Sequence, residues 1–174
     1  MKKIIVISGK QYSGKDTVAK LLIENLSNFK RIGIGDAIKI EYGKRHNLTF
    51  EEIEKNKHLY RNGLIELGNE GRAIDANYWL YKLLETKEDI IVPDIRVEHE
   101  IEIFKKEGAY LLRVDATKEA REKRGKITNE FDLTETSLDN YKYFNYRLDN
   151  NFGMEELRAN AVPLIKSIKE FFNI

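Results

Sequence analysis

Gly9-Lys10-Gln11-Tyr12-Ser13-Gly14-Lys15-Asp16-Thr17 follows directly on the apolar run Ile4-Ile5-Val6-Ile7. The order is buried strand, glycine-bounded loop, lysine and amphipathic helix, which makes a cradle for a nucleoside triphosphate. Gly9 and Gly14 admit backbone torsions that other residues resist, so the loop can aim several N–H groups at phosphate oxygens. The start of the next helix adds unpaired N–H groups and its positive dipole end. Lys15 reaches the β- and γ-phosphates as a point charge. Asp16 stands where the usual pattern has Ser or Thr as a magnesium ligand, and Thr17 can still donate to a phosphate. A carboxylate there can hold magnesium directly or through water. The competing reading is a plain glycine-rich turn in which Asp16 only favours the helix dipole.

The rest of the chain supports this. Its 174 residues point to one domain, residues 1–174, with a substantial core. Lys and Arg number 30 against 29 for Asp and Glu, a balance that disfavours nucleic acid as a partner. No cysteine is present, which excludes disulfides and thiolate metal sites and fits a reducing compartment. The opening Met1-Lys2-Lys3 precedes only Ile4–Ile7, short of the roughly 7–15 apolar residues of a secretory core and the about 20 of a membrane span. A cytoplasmic protein with no membrane partner is expected, as a monomer or homodimer.

Further strands are expected at Ile90–Val92, Ala109–Val114, Phe144–Leu148 and, less apolar, Phe29–Ile34. Helical stripes lie between and after them: Val18, Leu21, Leu22, Leu26; Val97, Ile101, Phe104; Leu157, Leu164, Ile165, Ile168, Phe172. Gly108 marks a helix stop, and Pro163 is expected to kink or split the last helix. Strands alternating with helices predict a parallel sheet with ligands at the edge that the loop leaves. Residues 36–86 read as a helical excursion, and residues 116–141 as a charged segment able to cover that edge.

Asp94 ends the apolar run at 90–92 and suits either magnesium or its water shell; the alternative is a helix N-cap. Arg96 follows on the same loop, and Arg61 and Arg72 lie in the excursion. Together they fit an acceptor that already bears phosphate, while each taken singly reads as a solvated charge. Arg121 and Arg124 are three apart, hence on one helix face, and serve either a closing lid or a solvated Glu–Lys helix. His46, His58 and His99 show no metal-ligand spacing, and Tyr78 and Trp79 read as core or pocket wall.

Ser13-Gly14-Lys15-Asp16-Thr17, with its aspartate, resembles the loop of deoxynucleoside monophosphate kinases of the phage and bacterial type; animal-type phosphomevalonate kinases share it apart from the threonine. Leu67 to Trp79, Val92-Pro93-Asp94-Ile95-Arg96 with Glu98-His99-Glu100, Thr134 to Asp139 and Leu148 to Asn151 are similar to the deoxynucleotide enzymes as well. Arg121 to Gly125 and Tyr42 to Phe50 look closer to the phosphomevalonate kinases. The resemblance runs from about Ile4 to Leu157. It implies an α/β, three-layer P-loop kinase fold: a parallel sheet of about five strands flanked by helices, with an acceptor-binding insertion at 36–86 and a lid at 116–141. It also implies ATP, magnesium and a small phosphate-monoester acceptor.

The function expected is transfer from ATP to a (deoxy)nucleoside monophosphate. Phosphomevalonate kinase is the second reading and a nucleotide-binding regulator the third. Gly9, Lys10, Ser13, Gly14, Lys15, Asp16 and Thr17 would hold ATP, with Asp16 and Asp94 on magnesium. Arg61, Arg72, Trp79, Asp94 and Arg96 would serve the acceptor, and Lys15, Arg96, Arg121 and Arg124 the transferring phosphoryl group.

Overall fold

The computed structural model describes residues 2–174. Strands β1 (Ile4–Ser8), β2 (Phe29–Arg31), β3 (Asp89–Ile95), β4 (Tyr110–Asp115) and β5 (Tyr146–Asp149) form one parallel sheet in the order β2-β3-β1-β4-β5. The helices are α1 (Lys15–Asn25), α2 (Ile34–His46), α3 (Phe50–Lys55), α4 (Lys57–Ile74), α5 (Tyr78–Leu84), α6 (Glu98–Lys106), α7 (Lys118–Arg124), α8 (Leu133–Thr136) and α9 (Met154–Phe172).

Every residue of β1 is buried. A central parallel strand is covered on both faces, which is why its sequence is apolar without alternation. On one face, Ile5, Ile7, Ile91, Tyr110, Leu112 and Val114 join Val18 and Leu22 of α1 and Leu157, Leu164 and Ile168 of α9 in a single core. Successive side chains of a strand point to opposite faces, so Ile4 and Val6 serve the other side. There α6 packs on β1 and β4, with Ile101 and Phe104 fully buried.

Two elements differ from expectation. β3 does not stop at Val92 but runs through Pro93 to Ile95. Pro93 lacks an N–H for the ladder. The β1–β3 register slips there by one residue, with Val6 opposite Val92 but Ser8 opposite Ile95. Such a bulge re-aims the neighbouring side chain, here Asp94. In α9, Pro163 neither ends nor splits the helix, which continues from Met154 to Phe172. Pro163 is exposed while Ala161 and Leu164 beside it are buried. The missing hydrogen bond therefore faces water, and burial of the opposite stripe keeps the helix continuous through the proline.

The chain divides into two compact units, residues up to Arg31 with Glu88–Ile174, and Ile32–Lys87. The second comprises α2 to α5 and covers the helical excursion expected over 36–86. Trp79 is part of its interior, 3% exposed, with the indole N–H donating to the Gly68 carbonyl at 3.0 Å. No helix among the described residues is long and apolar enough to cross a membrane.

Candidate active site

The loop between β1 and α1 owes its shape to Gly14 and Asn150. Gly14 is left-handed, at φ 97°, and a Cβ there would lie 2.3 Å from Asn150 Nδ2. That amide, 7% exposed at the end of β5, donates to the Ser13 carbonyl at 2.8 Å. Within the loop the Ser13 N–H donates to the Lys10 carbonyl at 3.1 Å. Lys15 Nζ turns back to donate to the carbonyls of Gly9 at 2.7 Å and Lys10 at 2.9 Å. Tyr12, Gly14, Lys15, Asp16 and Thr17 then line a cavity of about 630 Å³ together with Arg31, Pro93, Asp94, Arg96, Arg124 and Thr128.

The electrostatics of this cavity suit an anion. Burial, with Arg96 nearby, pulls the Lys15 pKa down to about 8, against the partial support of Glu135 and Asp16. Asp16 accepts from Arg31 Nε at 3.0 Å and Nη2 at 2.8 Å. Among the described residues, two buried side-chain polar atoms lack any hydrogen-bond partner, Ser13 Oγ and Arg121 Nε. Both are donors without an acceptor, and an oxyanion is one group that could supply it. Asp94 reaches the cavity from the β3 bulge and does not cap α6. The N-cap is Val97, the Glu98 N–H donates to Ser137 Oγ, and Glu100 accepts from the N–H groups of Arg96 and Val97.

Two arginines of the charged segment after β4 bind the loop, while much of the segment remains exposed. Arg121 is 4% exposed and donates to the Gln11 carbonyl at 3.4 Å. Arg124 spans four carbonyls: Tyr12 and Ser13 through Nη1, Asn150 and Phe152 through Nη2. In this structure Arg124 therefore fixes the loop against the β5–α9 turn. The Gln11 side chain makes a reciprocal pair with Thr128, accepting from its N–H at 3.0 Å and donating to its hydroxyl at 3.4 Å. Lys10 is engaged by Asp139 at 2.7 Å, and Asp139 also accepts from Arg113, which reaches Ser8 Oγ at 3.0 Å.

The unit Ile32–Lys87 has a cavity of its own, about 690 Å³, between α2 and α4. Lys57, His58, Arg61, Leu64, Ile65 and Arg72 face it from α4, and Gly35, Ile38 and Lys39 from α2. Lys39 is paired with Asp36 at 2.8 Å, and Arg72 donates to Asn69 at 2.9 Å. Arg61 and Arg72 thus share one cavity, while Arg96 lines the other unit's. Trp79, expected at the acceptor, lines neither.

The family model for phosphomevalonate kinase matches residues 7–110, more than half of the chain. The chain belongs to the phosphomevalonate kinase family. Phosphomevalonate kinase of Drosophila melanogaster is 30% identical over 139 residues, covering 72% of this chain and 74% of the relative. Among solved structures, shikimate kinase of Aquifex aeolicus has a TM-score of 0.52 at 21% identity, covering 94% of this chain and 96% of its own. A gluconokinase of Sinorhizobium meliloti has a TM-score of 0.56 at 14% identity, with 99% and 95% covered. These likenesses carry the fold alone, and the fold is that of the P-loop kinases. The protein is a P-loop kinase acting on a small substrate.

Several site residues of this phosphomevalonate kinase family member escape a reading of local sequence. Arg31 ends a weak strand, and Glu135 and Asn150 lie far from the loop along the chain. Lys57 and His58 carry a readable signal. With Arg61, Leu64, Ile65 and Arg72 they recur at helical spacing, so they share the face of α4 that holds the two expected arginines.

Proposed function

We propose that the protein transfers the γ-phosphoryl group of ATP to phosphomevalonate, giving diphosphomevalonate and ADP. The observation that carries this reading is the lining of the α2–α4 cavity. Its wall is aliphatic, Ile38, Leu64 and Ile65, with His58 beside them, and its charge is cationic, Lys39, Lys57, Arg61 and Arg72; no Phe, Tyr or Trp is among its lining residues. Phosphomevalonate is a short branched aliphatic chain with an anion at each end, which suits such a lining. A nucleobase would find no phenyl, phenol or indole ring to stack on. The family match supports the same acceptor over the nucleoside monophosphate expected from the sequence.

An oxygen of the acceptor phosphate attacks the γ-phosphorus, a new P–O bond forms, and the bond from that phosphorus to the bridging oxygen breaks, releasing ADP. The attacking oxygen is already anionic, so no general base is required. Positioning and charge stabilisation supply the acceleration. The loop amides and Lys15 hold the donor phosphates, Arg96 meets the charge at the cavity mouth, and Arg61 and Arg72 hold the acceptor.

The donor set suits magnesium. Among the described residues no group of three His, Cys, Asp or Glu is placed to hold a metal. Asp16 and Asp94 with Thr17 line the loop cavity. Magnesium takes one or two carboxylates, keeps its waters and binds substrate phosphates, where it neutralises charge. Asp16 and Asp94 would hold it.

Assay of ATP consumption with phosphomevalonate, mevalonate and the common nucleoside and deoxynucleoside monophosphates tests the reading. Phosphomevalonate is expected to exceed every nucleotide in kcat/KM by at least about 10²-fold. A nucleotide outperforming it refutes the assignment. Arg72→Ala is expected to raise the KM for phosphomevalonate about tenfold or more while leaving the KM for ATP within about threefold. Equal changes in both constants would remove Arg72 from the acceptor site.

A further inference from the structure

We propose that Glu135 is a positioning residue for the transfer, its buried carboxylate holding Arg96 and the Gln11 amide in one fixed relation at the mouth of the loop cavity. Glu135 lies on α8, which Asp132 starts by accepting from the N–H and hydroxyl of Thr134 at 2.8 and 2.7 Å. The Glu135 side chain is 2% exposed. One oxygen accepts from the Gln11 N–H at 2.8 Å, the other from Arg96 Nη1 at 3.0 Å. A carboxylate leaves water at a cost of several kcal/mol unless charge and hydrogen bonds meet it inside. Here both partners belong to the site: a loop amide, and an arginine that lines the loop cavity.

The geometry separates this role from simple anchoring. The segment that carries Glu135 is pinned independently, by Ser137 at the start of α6 and by Asp139 between Lys10 and Arg113. Arg96 is held less firmly, with Asp132 near enough only for a through-space attraction. Its side chain is 40% exposed, and Glu135 is the carboxylate that pairs with it in the structure. A guanidinium carries five donors in a rigid plane. Tying one arm to a buried oxygen sets that plane and leaves its outer edge for a phosphate oxygen. Without Glu135 the long Arg96 side chain regains its rotamers, and its charge no longer stands where the transition state needs it.

The proposal rests on Arg96 acting on phosphate, as assigned above, and the test separates the two. Glu135→Gln keeps the shape and one acceptor oxygen but presents an NH2 group to one of the two donors. Glu135→Asp is too short to reach both. Each is combined with Arg96→Ala, and kcat, both KM values and thermal midpoints are measured with ATP and phosphomevalonate. Glu135→Gln is expected to lower kcat about 10-fold or more, to move each KM by less than about threefold, and to add less than about threefold in the Arg96→Ala background.

If Arg96→Ala is impaired while Glu135→Gln matches the parent, the positioning role is wrong and the Arg96 assignment stands. If the Glu135→Gln loss persists in full in the Arg96→Ala background, Glu135 does not act through Arg96. If Arg96→Ala turns over like the parent, the Arg96 assignment fails and the proposal with it. If Glu135→Gln and Glu135→Asp both fail to fold, Glu135 is a structural anchor and the proposal is overturned.

Discussion

Replacing Lys15 by methionine is expected to cut turnover at least about 10²-fold while leaving the fold as stable as before, or more so. The two effects share one cause. Lys15 lines the loop cavity, and burial lowers its pKa from 10.5 to about 8, with Arg96 adding to the shift. Its hydrogen bonds to the Gly9 and Lys10 carbonyls offset only part of that penalty. Methionine fills similar volume and carries no charge. Between about pH 8 and 10.5 the unfolded chain keeps the Lys15 proton that the folded protein has released. Stability from this group therefore rises with pH across that window, and below it the destabilisation is full, on the order of 3 kcal/mol. Urea unfolding of parent and Lys15→Met near pH 7 and near pH 9.5 tests this. The variant's advantage should be present at the lower pH and shrink at the higher. Bound phosphates favour the charged lysine, so ATP affinity should weaken as pH climbs past the same value. Parent-like turnover in a folded variant, or a loss of more than about 1 kcal/mol near pH 7, would contradict the account.

Gly9→Ala is expected to destabilise the protein by about 2–4 kcal/mol and to lower kcat/KM for ATP about 10²-fold or more. A Cβ at Gly9 would stand 2.4 Å from Ser13 Oγ, 2.5 Å from the Val114 carbonyl and 3.2 Å from Lys15 Cγ. Val114 belongs to β4, buried in the sheet, so that carbonyl cannot yield cheaply. Ser13 and Lys15 are the parts of the loop that would move instead, and they are the residues proposed to hold phosphate. Gly153→Ala serves as the control. A Cβ there meets nothing within 4 Å, so a change below about 1 kcal/mol is expected. Chemical denaturation and nucleotide titration of both variants decide the matter, and equal behaviour of the two would show that the crowding at Gly9 is absorbed.

The loop and its flanking elements were legible in the sequence because they depend on residues near one another in the chain. A run such as Ile4–Ile7 can only be a fully covered strand or a helix fragment, and Gly9, Gly14 and Lys15 at their spacing choose between them. The same holds for β4, and for the stripe of α1 over Val18, Leu21 and Leu22. The arginines were legible as types and not as roles. Arg121 and Arg124 look alike on a helical wheel, yet one is buried against Gln11 and the other spans four carbonyls. The expectation of a nucleotide acceptor rests on the resemblance of the segments around Trp79 and Val92–Arg96 to deoxynucleotide kinases, and a resemblance of short segments does not say what a side chain touches. In the folded unit that indole is committed to the Gly68 carbonyl.

Strand, phosphate loop and helix follow from the chain alone, since burial pattern and glycine torsions act over a few residues and need no distant partner. The partners of the polar groups do not follow from it. Asp94 was aimed by a register slip against β1, Pro163 was tolerated because its bare side met solvent, and Glu135 acquired its meaning from a loop amide 124 positions away. Each of these outcomes is a matter of which backbone or side chain comes to lie within hydrogen-bond distance. A charge in a folded protein takes its function from that neighbour, and the neighbour is brought there by the packing of the sheet and its helices.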